Sequence, residues 1–232
     1  MLQLDHLALA LGSFRLSADI TLATGSHTAV MGPSGGGKST LLAAIAGFVT
    51  PASGRILWSG ADITATPPGD RPVSILFQNH NLFPHLTVAQ NVGLALAPRL
   101  RLTVAERERL AQALDRVGLA GLGDRRPAAL SGGQQSRAAL ARTLLSDRPL
   151  VLMDEPFAAL GPALRAEMLD LTLETLGATG RTLLLVTHDP DDARRLGGDL
   201  ALVSHGTVTP PAPAAALLAN PPPALRTYLG NP

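Results

Sequence analysis

Gly32-Pro33-Ser34-Gly35-Gly36-Gly37-Lys38-Ser39-Thr40 is the stretch from which the fold can be read. It fits G-x-x-x-x-G-K-[ST], the phosphate-binding P-loop, a motif that needs a strand before it and a helix after it. Both are present. His27 to Met31 (HTAVM) reads as a short buried strand, and Ser39 to Phe48 (STLLAAIAGF) as a helix of good helix formers. Glycines let backbone N–H groups turn inward as an anion nest, and the helix N-terminus adds its positive dipole end. The motif therefore nominates Gly32 to Thr40 as phosphate contacts, with Lys38 on the β- and γ-phosphate oxygens and the Ser39 hydroxyl on Mg²⁺. Lys38 is also the only lysine in the chain. A compact ammonium suits a phosphate cradle where a wide planar guanidinium would fit poorly.

At 232 residues the chain has room for one α/β domain with an inserted subdomain and a substantial core. A net charge of +1 argues against a strongly electrostatic nucleic-acid binder, and 3% aromatics leaves few platforms for stacking bases. The absence of cysteine excludes disulfides, Cys-ligated zinc and Fe–S clusters, and fits a reducing cytoplasm. The opening MLQLDHLALAL lacks a basic n-region and a small-residue cleavage site, so no signal peptide is expected. Apolar runs such as Leu183 to Val186 fall far short of the roughly 20 residues of a membrane span. The chain is expected to be soluble by itself.

Residues 2 to 30 alternate as strands preceding the P-loop, with Gly25-Ser26 as a turn. Arg55 to Ser59 (RILWS) predicts a short strand, and Thr66 to Pro72 (TPPGDRP) a loop. Val73 to Phe77 (VSILF) predicts a buried strand ending at Gln78. From Asn79 to about Arg148 the texture is helical: Thr87 to Leu96, Val104 to Leu119, then a helix from near Ser131. Strands return at Leu150 to Met153, Thr182 to Val186 and Leu200 to Val203, with helices at about 162–177 and 189–197 between them. That alternation predicts a parallel sheet covered on both faces. The organisation expected is a core over about 1–78 and 149–232 and a helical subdomain over about 79–148. A Pro- and Ala-rich tail would hold a short helix at Ala214 to Ala219.

Leu150-Val151-Leu152-Met153-Asp154-Glu155 is an apolar strand ending in two carboxylates. A P-loop enzyme needs an acid at such a strand end to hold Mg²⁺, and Asp154 fits. Glu155 stands where it could polarise a water for in-line attack on a γ-phosphate. Leu130-Ser131-Gly132-Gly133-Gln134 is the other strong signal. Ser131 makes a good N-cap, and the glycines after it leave the first amides bare enough to approach a phosphate closely.

Taken together and in this order, these motifs resemble the Walker A, signature and Walker B sequences of the nucleotide-binding subunit of ATP-binding-cassette (ABC) transporters. The resemblance extends over essentially the whole chain. It implies a P-loop core with a parallel sheet, an N-terminal antiparallel β subdomain and an inserted α-helical subdomain. It assigns the Q-loop glutamine to Gln78, on Mg²⁺ or the attacking water and facing a membrane subunit. It assigns the switch histidine, on the γ-phosphate, to His188 in Leu185-Val186-Thr187-His188-Asp189. It implies ATP and Mg²⁺ as ligands and a head-to-tail homodimer, in which the Ser131-Gly132-Gly133-Gln134 helix start of one copy completes the ATP site on the other's P-loop. A membrane-spanning permease is the implied partner, with a periplasmic solute-binding protein acting indirectly, on the cytoplasmic face of a bacterial inner membrane.

Arg71-Pro72-Val73-Ser74-Ile75-Leu76-Phe77-Gln78, then Asn81-Leu82-Phe83-Pro84-His85-Leu86-Thr87-Val88-Ala89-Gln90-Asn91-Val92, is similar to importer cassettes. The wording is nearest to the ATP-binding subunits of thiamine and thiamine pyrophosphate importers, and the short C-terminus agrees. None of these residues would touch a vitamin, so importers of iron, sugar, polyamine or molybdate stay open. A cassette acting on nucleic acid stays open too, though no coiled-coil insertion or zinc ligand set points to one. A P-loop kinase or GTPase would make the signature accidental. Three departures from the family stand out. Gly161 takes the place of the usual D-loop aspartate, though with Pro162 it still makes a workable helix start. Leu11 replaces the aromatic expected to stack on adenine; Phe14, close by, could substitute but is expected to pack into the strand edge; and Gln135-Ser136 replaces a more usual pairing of Arg with Gln. Little effect is expected from that last change.

Overall fold

The computed structural model describes residues 1–230. In chain order the elements are β1 (Leu2–Leu11), β2 (Phe14–Leu22), β3 (His27–Met31), α1 (Lys38–Ala46), β4 (Ser53–Trp58), β5 (Ala61–Asp62) and β6 (Val73–Leu76). Then come α2 (Val88–Gly93), α3 (Val104–Arg116), α4 (Gly132–Leu145), β7 (Leu150–Asp154), α5 (Pro162–Gly177), β8 (Thr182–Val186) and α6 (Pro190–Leu196). The chain ends with β9 (Asp199–Ser204), β10 (Thr207–Val208), β11 (Ala212–Pro213), α7 (Ala214–Ala219) and α8 (Pro223–Tyr228). They fall into two compact units, one of Met1–Val73, Pro149–Asp154 and Gly180 onward, the other of Ser74–Arg148 and Glu155–Thr179.

The first unit holds two kinds of sheet, and the sequence pattern separates them. β1, β2, β4 and β5 pair antiparallel. β2 alternates buried and exposed residues along most of its length, as a strand with one wet face must. β9, β3, β8 and β7 pair in parallel in that order. Every residue of β7 and β8 is buried, which explains why LVLM and TLLLV are unbroken apolar runs rather than alternating ones. Leu183, Leu184 and Leu185 are each 0% exposed, and each such side chain contributes about 1.5–3 kcal/mol on burial. β10 joins the two kinds, parallel to β2 and antiparallel to β9.

The second unit is built around α4. Helices α2, α3 and α5 all pack on it, and its buried side includes Ala138, Ala139, Leu140, Ala141 and Leu145. Three of its helices open with a reciprocal capping box: Thr87 with Gln90, Thr103 with Glu106, and Ser131 with Gln134. In each, the hydroxyl and the amide or carboxylate three residues on satisfy two amides that the helix itself cannot. This unit starts five residues before the expected 79 and also takes in α5, because α5 packs on α4.

Several boundaries are tighter than the periodicity predicts. α1 stops at Ala46 because Gly47 turns left-handed at φ 91 and donates back to Ala43 O and Ala44 O. α3 stops at Arg116 rather than Leu119, with Gly118 at φ 64. α8 and the two-residue strands β10 and β11 are too short to show a period in the sequence.

Candidate functional site

The P-loop lies between β3 and α1 in the first unit. Gly32, at φ 148, has its Cα so near β9 that a Cβ there would stand 2.2 Å from Val203 O. Only glycine fits. The helix it leads into starts without a side-chain cap, because its N-cap is Gly37. The first-turn amides of α1 therefore have no partner within the helix, which is the condition for an anion seat. Pro33, Ser34 and Gly35 are exposed, and nothing lies within 4 Å of where a Cβ on Gly35 would stand. The loop is open on that side. Lys38 is 8% exposed, and its ammonium donates to Gly32 O at 2.7 Å and Pro33 O at 2.9 Å. A cation held on the loop's own carbonyls, beside uncapped amides, fits a polyphosphate.

Strand register brings two more predicted residues to the same edge. Val30 of β3 pairs with Val186 of β8, and Val186 pairs with Asp154 of β7. Gly32 and His188 follow β3 and β8 and Asp154 ends β7, so all three stand at the carboxyl ends of three adjacent parallel strands, the edge where open parallel sheets take ligands. Asp154 is 5% exposed and His188 is exposed. With the exposed Ser39, Asp154 supplies a hydroxyl and a carboxylate, the hard oxygen donors that Mg²⁺ takes.

The turn that carries His188 is pinned on both sides. Thr187, 2% exposed, donates its hydroxyl to Asp192 Oδ2 at 2.6 Å and accepts from Asp189 N at 3.1 Å. Asp189 in turn caps α6 through Asp191 N at 2.9 Å. Sequence reasoning passed over Asp192; the signal available was an acid in the first turn of the helix that follows the Thr-His pair.

Gln78, Ser131 to Gln134 and Glu155 belong to the second unit. Ser131 Oγ accepts from Gln134 N at 3.3 Å, and Gln134 Oε1 accepts from Ser131 N at 2.9 Å, so the signature is itself the capping box of α4. Gln78 is exposed, two residues beyond β6. Just after it, His80 and Asn81 are both left-handed, at φ 62 and 46. Arg142 of α4 spans this pair, donating to His80 O and Asn81 O at 2.8 Å each. Burial, with the Arg142 charge adding to it, holds the His80 imidazole below its usual range. Glu155 is half-buried with φ 46.

Two expectations change. Phe14 rests on the P-loop: its ring would come within 2.4 Å of a Cβ on Gly37. Leu11, where the stacking aromatic was expected, ends β1 at 46% exposure. Gln135 and Ser136, expected to matter little, are both engaged. Gln135 Nε2 donates to Pro127 O at 3.1 Å and Leu130 O at 3.3 Å, and Ser136 Oγ donates to Pro156 O at 2.6 Å.

Comparison with known proteins agrees with this arrangement. A family model described as "ABC transporter" matches residues 17–158. Curated relatives include thiamine import ATP-binding proteins ThiQ: that of Cereibacter sphaeroides is 61% identical over 99% of this chain and 100% of its own length. That of Ruegeria sp. is 58% identical with the same coverage, and that of Brucella suis is 48% identical over 99% of this chain and 96% of its own. Among solved structures, the ATP-binding cassette MJ0796, in a dimeric post-hydrolysis state bound to ADP and Pi, superposes with a TM-score of 0.82. It is 28% identical, covering 92% of this chain and 99% of that one. P-loop, signature and paired carboxylates on this fold lead to one conclusion: the chain belongs to the ABC transporter family, as an ATP-binding cassette.

Proposed function

We propose that this chain is the ATP-hydrolysing subunit of a thiamine importer. The observation that carries the reading is its full-length likeness to thiamine import ATP-binding proteins, on a P-loop whose local geometry suits a nucleotide. Lys38 and the first-turn amides of α1 hold the β- and γ-phosphates, within the loop Gly32 to Thr40. Ser39, Asp154 and Gln78 would hold Mg²⁺, which would supply neutralisation of phosphate charge there. Glu155 takes a proton from the attacking water as the bond to the leaving phosphate oxygen breaks, and His188 donates to the γ-phosphate. The Ser131-Gly132-Gly133-Gln134 helix start of a second copy completes each site, so the working unit is a homodimer. It acts with a membrane-spanning permease and, indirectly, a periplasmic solute-binding protein, and does not act on nucleic acid. Among the described residues no helix is long and apolar enough to cross a membrane, which suits a peripheral subunit at the cytoplasmic face of the inner membrane.

The test is growth of a thiamine-requiring deletion strain on limiting thiamine, with parallel cultures limited for other vitamins. The parent gene restores growth on thiamine and its Lys38→Ala form does not. Unchanged thiamine uptake in the deletion strain would overturn the substrate. ATPase activity stimulated by DNA or RNA instead of by membrane partners would overturn the transport role.

A further inference from the structure

The hydroxyls buried on helices divide into two kinds. Thr143 and Thr172 bond within their own helix, to Ala139 O at 3.0 Å and Met168 O at 2.7 Å, four residues back. Ser136, on α4 and 2% exposed, does not. Its hydroxyl leaves the helix and donates to Pro156 O, twenty residues away in sequence, at 2.6 Å. That carbonyl belongs to the residue immediately after Glu155.

Glu155 needs such support. Its φ of 46 is left-handed, a region that a β-carbon disfavours. It also precedes a proline, a position that ordinarily forces extended backbone. Pro156 brings no N–H to anchor the turn, and the bond from Ala158 N to Glu155 O is long, at 3.3 Å. The bond that Ser136 makes to this turn is short and buried.

We infer that Ser136 is a positioning residue for Glu155: by holding Pro156 O it keeps the Glu155 backbone left-handed and its carboxylate aimed. The same hydroxyl ties the Glu155–Pro156 turn to the helix that opens with Ser131, five residues earlier within the same unit. This rests on Glu155 acting on the attacking water, as proposed above.

The experiment measures kcat, KM for ATP, nucleotide Kd and unfolding midpoint for Ser136→Ala, Glu155→Gln and the double variant. Ser136→Ala lowers kcat about ten- to a hundredfold, the penalty of misaiming a reacting group by an ångström or less. KM and Kd stay within about twofold, because the Ser136 hydroxyl bonds Pro156 O and none of the residues proposed to hold the phosphates. In the Glu155→Gln background the same change removes nothing further from residual turnover, whereas a merely structural role would still lower the amount of active protein. Ser136→Thr keeps the donor and stays near the parent. Ser136→Cys, nearly isosteric with a weak donor, falls between and carries the test if the alanine variant does not fold. Parent-level kcat in folded Ser136→Ala or Ser136→Cys, with Glu155→Gln inactive, overturns the inference. Parent-level turnover in Glu155→Gln overturns instead the role given to Glu155.

Discussion

Arg71 is the cation whose removal should be most damaging to the first unit. It is 2% exposed, and its guanidinium donates to Thr64 O at 2.7 Å, Thr66 O at 2.8 Å, Ala44 O at 2.8 Å and Ile45 O at 2.7 Å. The last two are carbonyls of the final turn of α1, the helix that begins at Lys38. The guanidinium thus ties the C-terminal end of the P-loop helix to the loop before β6, where the helix dipole also favours a cation. Gly47 makes room for it; a Cβ there would come within 2.7 Å of Arg71 Nε. Arg71→Met keeps much of the aliphatic volume and deletes the donors. Charged hydrogen bonds contribute about 1.5–3 kcal/mol apiece at most. Ala44 O also accepts from Gly47 N, so it is not left bare. Burial disfavours the cation and holds its pKa below the usual value, which offsets part of the sum. The net loss expected is about 3–4 kcal/mol, in line with breaking other buried charged networks. Arg71→Lys recovers only part of it, because one ammonium cannot span carbonyls on two segments. Urea unfolding followed through Trp58, the only tryptophan, reads this unit directly. The midpoint should fall at unchanged slope. A loss under about 1 kcal/mol for Arg71→Met would refute the reasoning, since four charged bonds, two of them buried and two part-buried, could not then matter.

Gly161→Asp should stabilise. Gly161 caps α5 at φ −67 with no side-chain bond, and nothing lies within 4 Å of where its Cβ would stand. A carboxylate there gains a few tenths to about 1 kcal/mol and raises Tm by roughly 1–4 °C in calorimetry; a lower Tm would contradict it. Acid should destabilise through His27 and His80, whose pKa values burial depresses below 6.5 and whose Nε2 and Nδ1 atoms respectively are buried without a partner. The unfolded chain then binds more protons, so this contribution is full above pH 6.5 and is lost as pH falls through the folded values. His80→Leu should flatten the fall of the urea midpoint between about pH 6.5 and 5, and an unchanged profile would clear His80. His6 opposes this trend: Asp5 and Asp19 raise its pKa, so what it contributes is present below pH 6.5 and lost as pH rises through the raised value.

What could be read from the sequence was what is local. The P-loop carries its strand, turn and helix within one contiguous stretch, and β7 and β8 show as apolar runs because both of their faces are covered. The three capping boxes are likewise written three residues apart. Arg71 was not legible. TPPGDRP reads as a loop, charged residues are rarely buried, and the carbonyls that hold this one come from residues 44, 45, 64 and 66. Phe14 reads from the sequence as a strand-edge residue, because nothing in a sequence says which Cα atom a ring will rest on. For the site, Lys38 in its P-loop and Asp154 at the end of an apolar strand could be placed from local sequence, and His188 through the family resemblance. The Thr187–Asp192 bond and the left-handed turns at His80, Asn81 and Glu155 could not.

Helix α4 shows why residues beside a motif can matter as much as the motif. Four of its side chains donate to backbone carbonyls outside the helix. Gln135 holds Pro127 and Leu130, Ser136 holds Pro156, Arg137 holds Val117 and Gly118, and Arg142 holds His80 and Asn81. Each recipient lies in a loop or at a helix end; Pro127 O also accepts from Leu130 N, and a buried carbonyl left unpaired costs about 1–3 kcal/mol. Polar residues along α4 therefore do not mark a wet face; they are the donors those segments need. Two of the segments follow Gln78 and Glu155 directly. Displacing α4 within this unit would either carry both segments along or break the Arg142 bonds to His80 O and Asn81 O and the Ser136 bond to Pro156 O.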